Sequence, residues 1–422
     1  MFDGEQNADL DDLLAGLVDK SLVLADRRAR TTRYRQLETL RQFGAAMVER
    51  AGTAVQVRDR HLAHFAVEVA RVERRYWGSE FGAADFGDAA AWYEAEWDNL
   101  RAALNHAIDT HNPGRAAAIV AHSFFYALYG MRLEHHDWAQ RANAVAGAPP
   151  LITAMCAAWA FYAGDHERAE VLARQVLQGE ADPAAVAHAW HAIFQVAFHS
   201  GRTRDMSDAI QQYRNAANDC EDNPALAHHV LAFSNVAAAT LMNTGDAEHT
   251  ANELRELADR AGNPILVASA KIAAGLVAVT RRDRETASRH FEQGADLFGA
   301  LGVTLMEGMA LVSRAIGMPL DLRNEAFRNA IRSFQSSRSW MLLWVLLESL
   351  GIGWATQGRY EPAAVLLGAI DSRQRHAAPL TNQRDRIQTS LGAHADFGTW
   401  AATGAQMTID ELIDYALANL DT

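Results

Sequence analysis

Apolar positions along this chain recur three and four residues apart, the spacing of one helical face. From Asp9 to Lys20 (DLDDLLAGLVDK) the pattern puts Leu10, Leu13, Leu14, Leu17 and Val18 on one side of a helix. Its acidic residues lie at the N-terminal end, where the helix dipole favours them. The runs SLVLAD and TTRYRQL then alternate in the manner of strands around the basic turn RRAR, predicting a β-hairpin. Leu37 to Arg50 predicts a second helix with Leu37, Leu40, Phe43, Ala46 and Met47 on its inner stripe and Gly52 just past its end.

Helix, hairpin, helix reads as the tail of a winged-helix module, whose earlier helices would lie before Met1. From Ala54 onward no strand pattern survives. Val55 to Trp77 predicts a long amphipathic helix, SEFGAADFGD a loop, and Ala89 to Thr110 a second long helix containing Trp92, Trp97, Leu100, Leu104 and Ile108. After the break at Asn112 and Pro113, helices of roughly 14 to 20 residues alternate with short polar turns. The pattern divides the chain into a winged-helix remnant (1–52), linker helices (53–112) and helical repeats (113–422).

The turns carry a period. YAGDHERA, HSGRTRDM, NTGDAEHT, TRRDRETA and TQGRYEPA align at Asp165, Arg202, Asp246, Asp283 and Arg359, in steps of 37, 44, 37 and 76, the last about twice the unit. A degenerate turn near Pro319 to Arg323 fills the gap. Two antiparallel helices per unit match a tetratricopeptide-like array, whose ideal repeat is about 34 residues. Such a unit cannot bury its apolar face alone and must stack on its neighbours. Small residues support the reading: Ala169, Ala287 and Ala363 each stand four positions after an aligned turn residue. The expected fold is all-α, a tetratricopeptide-like α-solenoid with a concave inner groove, preceded by the small remnant with its one β-hairpin.

Composition narrows the function. Hydrophobic residues at 49% and charged residues at 22% of 422 fit a globular chain and exclude extensive disorder. The balance of 39 basic against 52 acidic residues, a net −13, excludes a chain-wide nucleic-acid surface. Cys156 and Cys220 are two isolated thiols, suited to a reducing compartment. The N-terminus lacks the basic start and apolar core of a signal peptide, and the most apolar stretch, Trp340 to Gly353, is too short to span a bilayer. A cytoplasmic protein without membrane association is expected.

Candidate chemistry is sparse. The pairs His61/His64, His188/His191, His135/His136 and His228/His229 could each offer two metal ligands, but no third ligand recurs at a matching spacing. There is no Gly-x-Ser-x-Gly elbow, and the surroundings of both thiols raise their pKa values. No catalytic, metal or cofactor site is expected. Aromatic residues are abundant, and Trp138, Trp159, Trp190, Phe125 and Tyr126 are the candidate anchors should they line the groove. Arg27, Arg28, Arg30 and Arg33 form a basic hairpin, a candidate docking element for a partner protein.

Several stretches resemble a family. Leu13 to Asp26 (LLAGLVDKSLVLAD), with Arg33 to Gly52 (RYRQLETLRQFGAAMVERAG), resembles the end of the winged-helix subdomain of bacterial STAND-type regulatory ATPases, the large LuxR-type transcriptional regulators. VRDRHLAHF and WYEAEWDNLRAALNHAID resemble the linker helices leading into their tetratricopeptide-like sensor region, and MTIDELIDYALANL resembles its last helix. The resemblance implies a regulatory arm that receives a small-molecule or protein signal and controls a nucleotide switch. The family's P-loop, G-x-x-x-x-G-K-[ST], does not occur in the sequence, and neither the nucleotide-binding nor the C-terminal DNA-binding domain is expected. The expectation is therefore a non-catalytic signal-sensing interaction module. Its partner would be a protein, such as a separately encoded nucleotide-binding domain, or a small-molecule effector, and direct DNA binding is not expected. The alternatives are a metal-dependent enzyme with its site in the groove, and DNA binding through the basic hairpin.

Overall fold

The first helices of successive pairs stack on one another through the C-terminal part of this chain. A computed structural model describes residues 4–26, 32–78, 82–220, 223–317, 320–337, 340–373, 387 and 389–420. Contacts divide it into two units, residues 1–64 and 65–422.

The first unit contains α1 (Gly4–Asp19), β1 (Leu24–Asp26), β2 (Arg33–Arg35), α2 (Glu38–Arg50) and the start of α3 (Ala54–Trp77). The strands pair antiparallel with Ala25 opposite Tyr34, as the hairpin reading predicts. The stripe expected to face inward does not. Leu37 is 51% exposed, Phe43 64% and Met47 47%, and no residue of α2 is buried. Leu13 of α1 is 66% exposed. Two helices and a two-stranded ribbon offer too little surface to enclose these side chains. The border between the units falls inside α3, beyond the change of pattern at Gly52.

The second unit continues through α4 (Gly82–Asp109) into a run of helix pairs. These are α5 (Pro113–Tyr129) with α6 (Glu134–Asn143), α7 (Pro150–Tyr162) with α8 (His166–Gln178), and α9 (Pro183–His199) with α10 (Thr203–Asn218). Then come α11 (Pro224–Thr240) with α12 (Thr244–Ala261), and α13 (Pro264–Thr280) with α14 (Arg284–Ala300). The last pairs are α15 (Thr304–Gly317) with α16 (Leu320–Ser337), and α17 (Trp340–Thr356) with α18 (Tyr360–Ser372), before α19 (Phe397–Gln406) and α20 (Ile409–Asn419). From α4 to α19 each helix packs on the next, and several first helices also pack on the following first helix: α5 on α7, α7 on α9, α11 on α13 and α15 on α17. This is the all-α, solenoid-like arrangement of consecutive helices that the periodicity predicts. No described helix is long and apolar enough to cross a membrane.

The two helices of a pair differ in kind. In α7 every residue from Ala154 to Tyr162 is buried, whereas α8 buries only Ala169, Ala173 and Val176. The second helix thus has one apolar stripe and a wet face. The first is apolar nearly all round, as befits a helix covered on several sides. Part of that cover comes from α3: Trp77 lies 5.4 Å from the His228 ring of α11, and Asn263 Nδ2 donates to the Tyr76 carbonyl at 2.7 Å. The inner face is therefore partly filled by the chain's own side chains, where the sequence suggests an open groove.

The turns within pairs share one geometry. A residue with positive φ ends the first helix, at Gly164, Gly201, Met242, Arg282 and Gly358. The next amide bonds back to a carbonyl five residues earlier, as Asp165 to Ala160 and Asn243 to Ala238, closing a Schellman turn. That residue is also the N-cap of the second helix: Asp165, Arg202, Asn243, Asp283 and Arg359. The equivalent of Asp165 in the fourth pair is thus Asn243 and not Asp246, which lies in the first turn of α12, and the steps become 37, 41, 40 and 76. Ala247, four residues on, is fully buried like Ala169, Ala287 and Ala363.

Starts of first helices carry a second signature. Asn112, Asp182, Asn223 and Asn263 cap helices whose first residue is proline, each accepting a bond from a backbone amide of the first turn. The expected loop from Ser79 to Asp88 is helical from Gly82 onward, where Phe86 is buried 4.7 Å from the Tyr76 ring. Close approaches lock two helix pairs. A Cβ on Gly275 would come within 2.7 Å of Phe291, and one on Gly294 within 2.2 Å of Ile272, so α13 and α14 interdigitate reciprocally. Likewise Gly404 of α19 lies against the backbone of Val365 in α18, and Gly368 of α18 against that of Ala401 in α19.

Candidate functional site

A cavity of about 330 Å³ lies among the first helices of the second unit. Its wall takes Phe198 and His199 from α9, Phe233 and Asn235 from α11, Ile272 and Leu276 from α13, Met306 and Met309 from α15, and Leu342 and Val345 from α17. The volume lies in the range of small-molecule sites, at its lower end. Small residues at Ala239 and Ala273 keep the space open where larger side chains would fill it.

No Asp, Glu, Lys or Arg lines this cavity among the described residues. Among the described residues, His199 is the one wall side chain of a type that ordinarily titrates near neutrality. Burial lowers its pKa to about 4, so it is neutral at pH 7, and its Nδ1 donates to the Gln195 carbonyl at 2.9 Å. The hydroxyls of Thr240 and Ser313 each donate to a carbonyl of their own helix.

Asn235 is the exception. It is 1% exposed, and its Nδ2 donates to the Ala247 carbonyl at 2.7 Å and to Thr250 Oγ1 at 3.0 Å. A backbone carbonyl only accepts, so this bond fixes which way the amide points. Its Oδ1 is buried with no hydrogen-bond partner. A lost acceptor of this kind costs roughly 1–3 kcal/mol.

Behind Phe233 lies a core of buried histidines. His191 and His229 have ring centroids 4.4 Å apart, and both rings pack on Phe233. Tyr213 Oη lies 2.8 Å from His229 Nδ1, and His228 Nε2 lies 2.7 Å from Ser269 Oγ. Neither ring nitrogen of His191 has a partner. Burial lowers His188 to about 4, His191 and His228 to about 3, and His229 well below its ordinary value, so all are neutral imidazoles. Among the described residues no three His, Cys, Asp or Glu side chains converge where they could hold a metal ion. Burial also pushes the Cys156 thiol up to about 12 and raises that of Cys220, so neither is primed as a nucleophile.

None of the five aromatic residues expected to anchor a ligand lines the cavity. Trp138 stacks on Trp97 at 4.6 Å, and Trp159 Nε1 donates to His135 Nδ1 at 3.0 Å. Phe125 packs between Trp77 and His229, and Tyr126 stacks on Tyr93 at 4.2 Å while donating to Glu94. Trp190 packs among Ile210 and its neighbours. These rings join helices to one another. Of the basic hairpin, Arg33 lies in β2, while Arg27, Arg28 and Arg30 fall outside the described residues.

Asn235, which the sequence reading did not single out, was signalled by its place as a lone amide among apolar neighbours in LAFSNVAAAT. Compared with known proteins, the chain matches no family model and no curated protein.

Proposed function

We propose that this chain is a non-catalytic, signal-sensing interaction module, similar in role to the sensor arm of STAND-type regulators. The observation that supports it is the cavity wall. Six successive first helices, from α7 to α17, contribute to it, so one occupant touches several repeats at once. In an array whose members contact chiefly their neighbours, such an occupant biases how the pairs lean on each other. A docked protein would read that bias, and the uncovered apolar residues of the first unit, Leu37, Phe43 and Met47, are the surface that suits one.

The test is a calorimetric titration of the full chain with purified P-loop domains of STAND regulators. Saturable binding that Phe43→Asp weakens at least tenfold is the expected result. Absence of binding, or binding indifferent to Phe43→Asp, would remove the docking half of the proposal.

A further inference from the structure

The size of the cavity and the bonding already made in its wall narrow what can occupy it. We propose that it binds a neutral, hydrocarbon-like small molecule of roughly two or three rings, held by apolar contact and shape. This rests on the sensing reading and names its ligand class.

Volume sets the first limit. At about 330 Å³, the space is roughly twice the ~150 Å³ of a dry apolar cavity that admits benzene. Charge sets the second. Phe198, Phe233, Leu276, Met306, Met309 and Val345 present hydrocarbon and thioether surface, and no Asp, Glu, Lys or Arg lines the wall among the described residues. An ionised group would be buried there without a counter-charge.

Hydrogen bonding sets the third. The amide and small hydroxyl donors of the wall already serve the protein. Thr240 and Ser313 donate to carbonyls of their own helices, Gln195 Nε2 donates to Tyr162 Oη at 3.2 Å, and Asn235 Nδ2 donates to the Ala247 carbonyl. A peptide, sugar or nucleotide would leave many of its own polar groups unmatched, each carrying a desolvation cost. A hydrocarbon skeleton has none to lose. Met306 and Met309, flexible and polarisable, suit an aliphatic or an aromatic ring alike.

The experiment uses the full chain and N-phenylnaphthylamine, a neutral dye whose emission rises in apolar surroundings. A single saturable site per chain is expected. Biphenyl should displace the dye, and its carboxylate derivative, ionised at neutral pH, should compete more weakly by about tenfold or more. An end-capped tripeptide of leucine and phenylalanine, apolar in its side chains but carrying amides, should not displace it.

Met309→Trp and Val345→Phe each narrow the cavity from half-buried wall positions. Each should weaken dye binding by about tenfold or more while circular dichroism stays that of the parent. Should one variant fail to fold, the other reads the site, and the competitor series on the unaltered chain reads charge and polarity without either.

No saturable dye binding, more than one equivalent site, binding indifferent to the folded wall variants, displacement by the tripeptide, or equal competition by the carboxylate would each overturn the proposal. Any of these would leave partner docking through Phe43 intact, because the calorimetric titration reads that separately. Failure of that titration would equally leave the dye result standing.

Discussion

At the scale of single residues, the unusual feature is neutral histidine in the core. His135, His188, His191, His199 and His228 are held at about 3 to 4 by burial, below the unfolded value near 6.5. The unfolded chain therefore takes up these protons first. Stability is fully present above about pH 6.5 and falls as the pH drops from there toward the folded values, by about 1.4 kcal/mol per pH unit for each histidine. Melting temperatures should fall steeply between about pH 6.5 and about pH 4. A flat profile would mean these rings are not sequestered. His191 has no partner on either nitrogen, so His191→Leu should change neutral-pH stability by no more than about 1 kcal/mol and make the acid profile shallower. The pairing of histidines was plain in the sequence. Their neutrality was not, because burial depends on helices far apart along the chain.

At the scale of elements, the helices were largely legible, since each carries its own periodicity and caps. The repeat register was legible only in part. Aligning Gly164-Asp165 with Gly245-Asp246 follows the residue that most readily takes positive φ. In the fourth pair, however, Met242 takes that conformation, at φ 54°, and Gly245 sits inside α12. A methionine there gives no outward sign of a turn. The proline-led starts of α5, α9, α11 and α13 are a cleaner marker than the turns within pairs, because a capping Asn or Asp followed by Pro fits few other places. The glycines at helix crossings also belong to this scale. A Cβ at position 404 would lie 1.9 Å from the Val365 carbonyl oxygen, and backbone cannot step aside as a side chain does. Gly404→Ala should therefore cost about 3 kcal/mol or more and loosen α19 and α20 first. Urea denaturation, with limited proteolysis near Met407, measures both effects. Unchanged stability would mean α18 and α19 do not cross so closely.

At the scale of the whole molecule, the two units differ in how much they bury. The second unit buries large side chains such as Trp138, Trp159, Phe194 and Phe291 almost completely, while α2 buries none of its residues. Local opening follows buried contact, so amides of α1 and α2 should exchange with solvent orders of magnitude faster than those of α7, α9 and α11. Hydrogen exchange followed by mass spectrometry tests this, and equal protection across the units would contradict it. Mixing with a partner that docks on Phe43 should slow exchange in α2. The cavity illustrates what a linear reading misses at this scale. Its wall runs from Tyr162 to Val345, and no local motif announces residues so scattered.

The reciprocal notches of α13 and α14 have a mechanical consequence. Phe291 seated over Gly275, and Ile272 over Gly294, act as two pegs in two slots, so this pair cannot slide lengthwise without unseating both. Any bending of the array is then left to the joints on either side, where Gly262 and Gly302 lie in left-handed backbone. Tying down those pivots, rather than altering the pegs, is what would freeze the device.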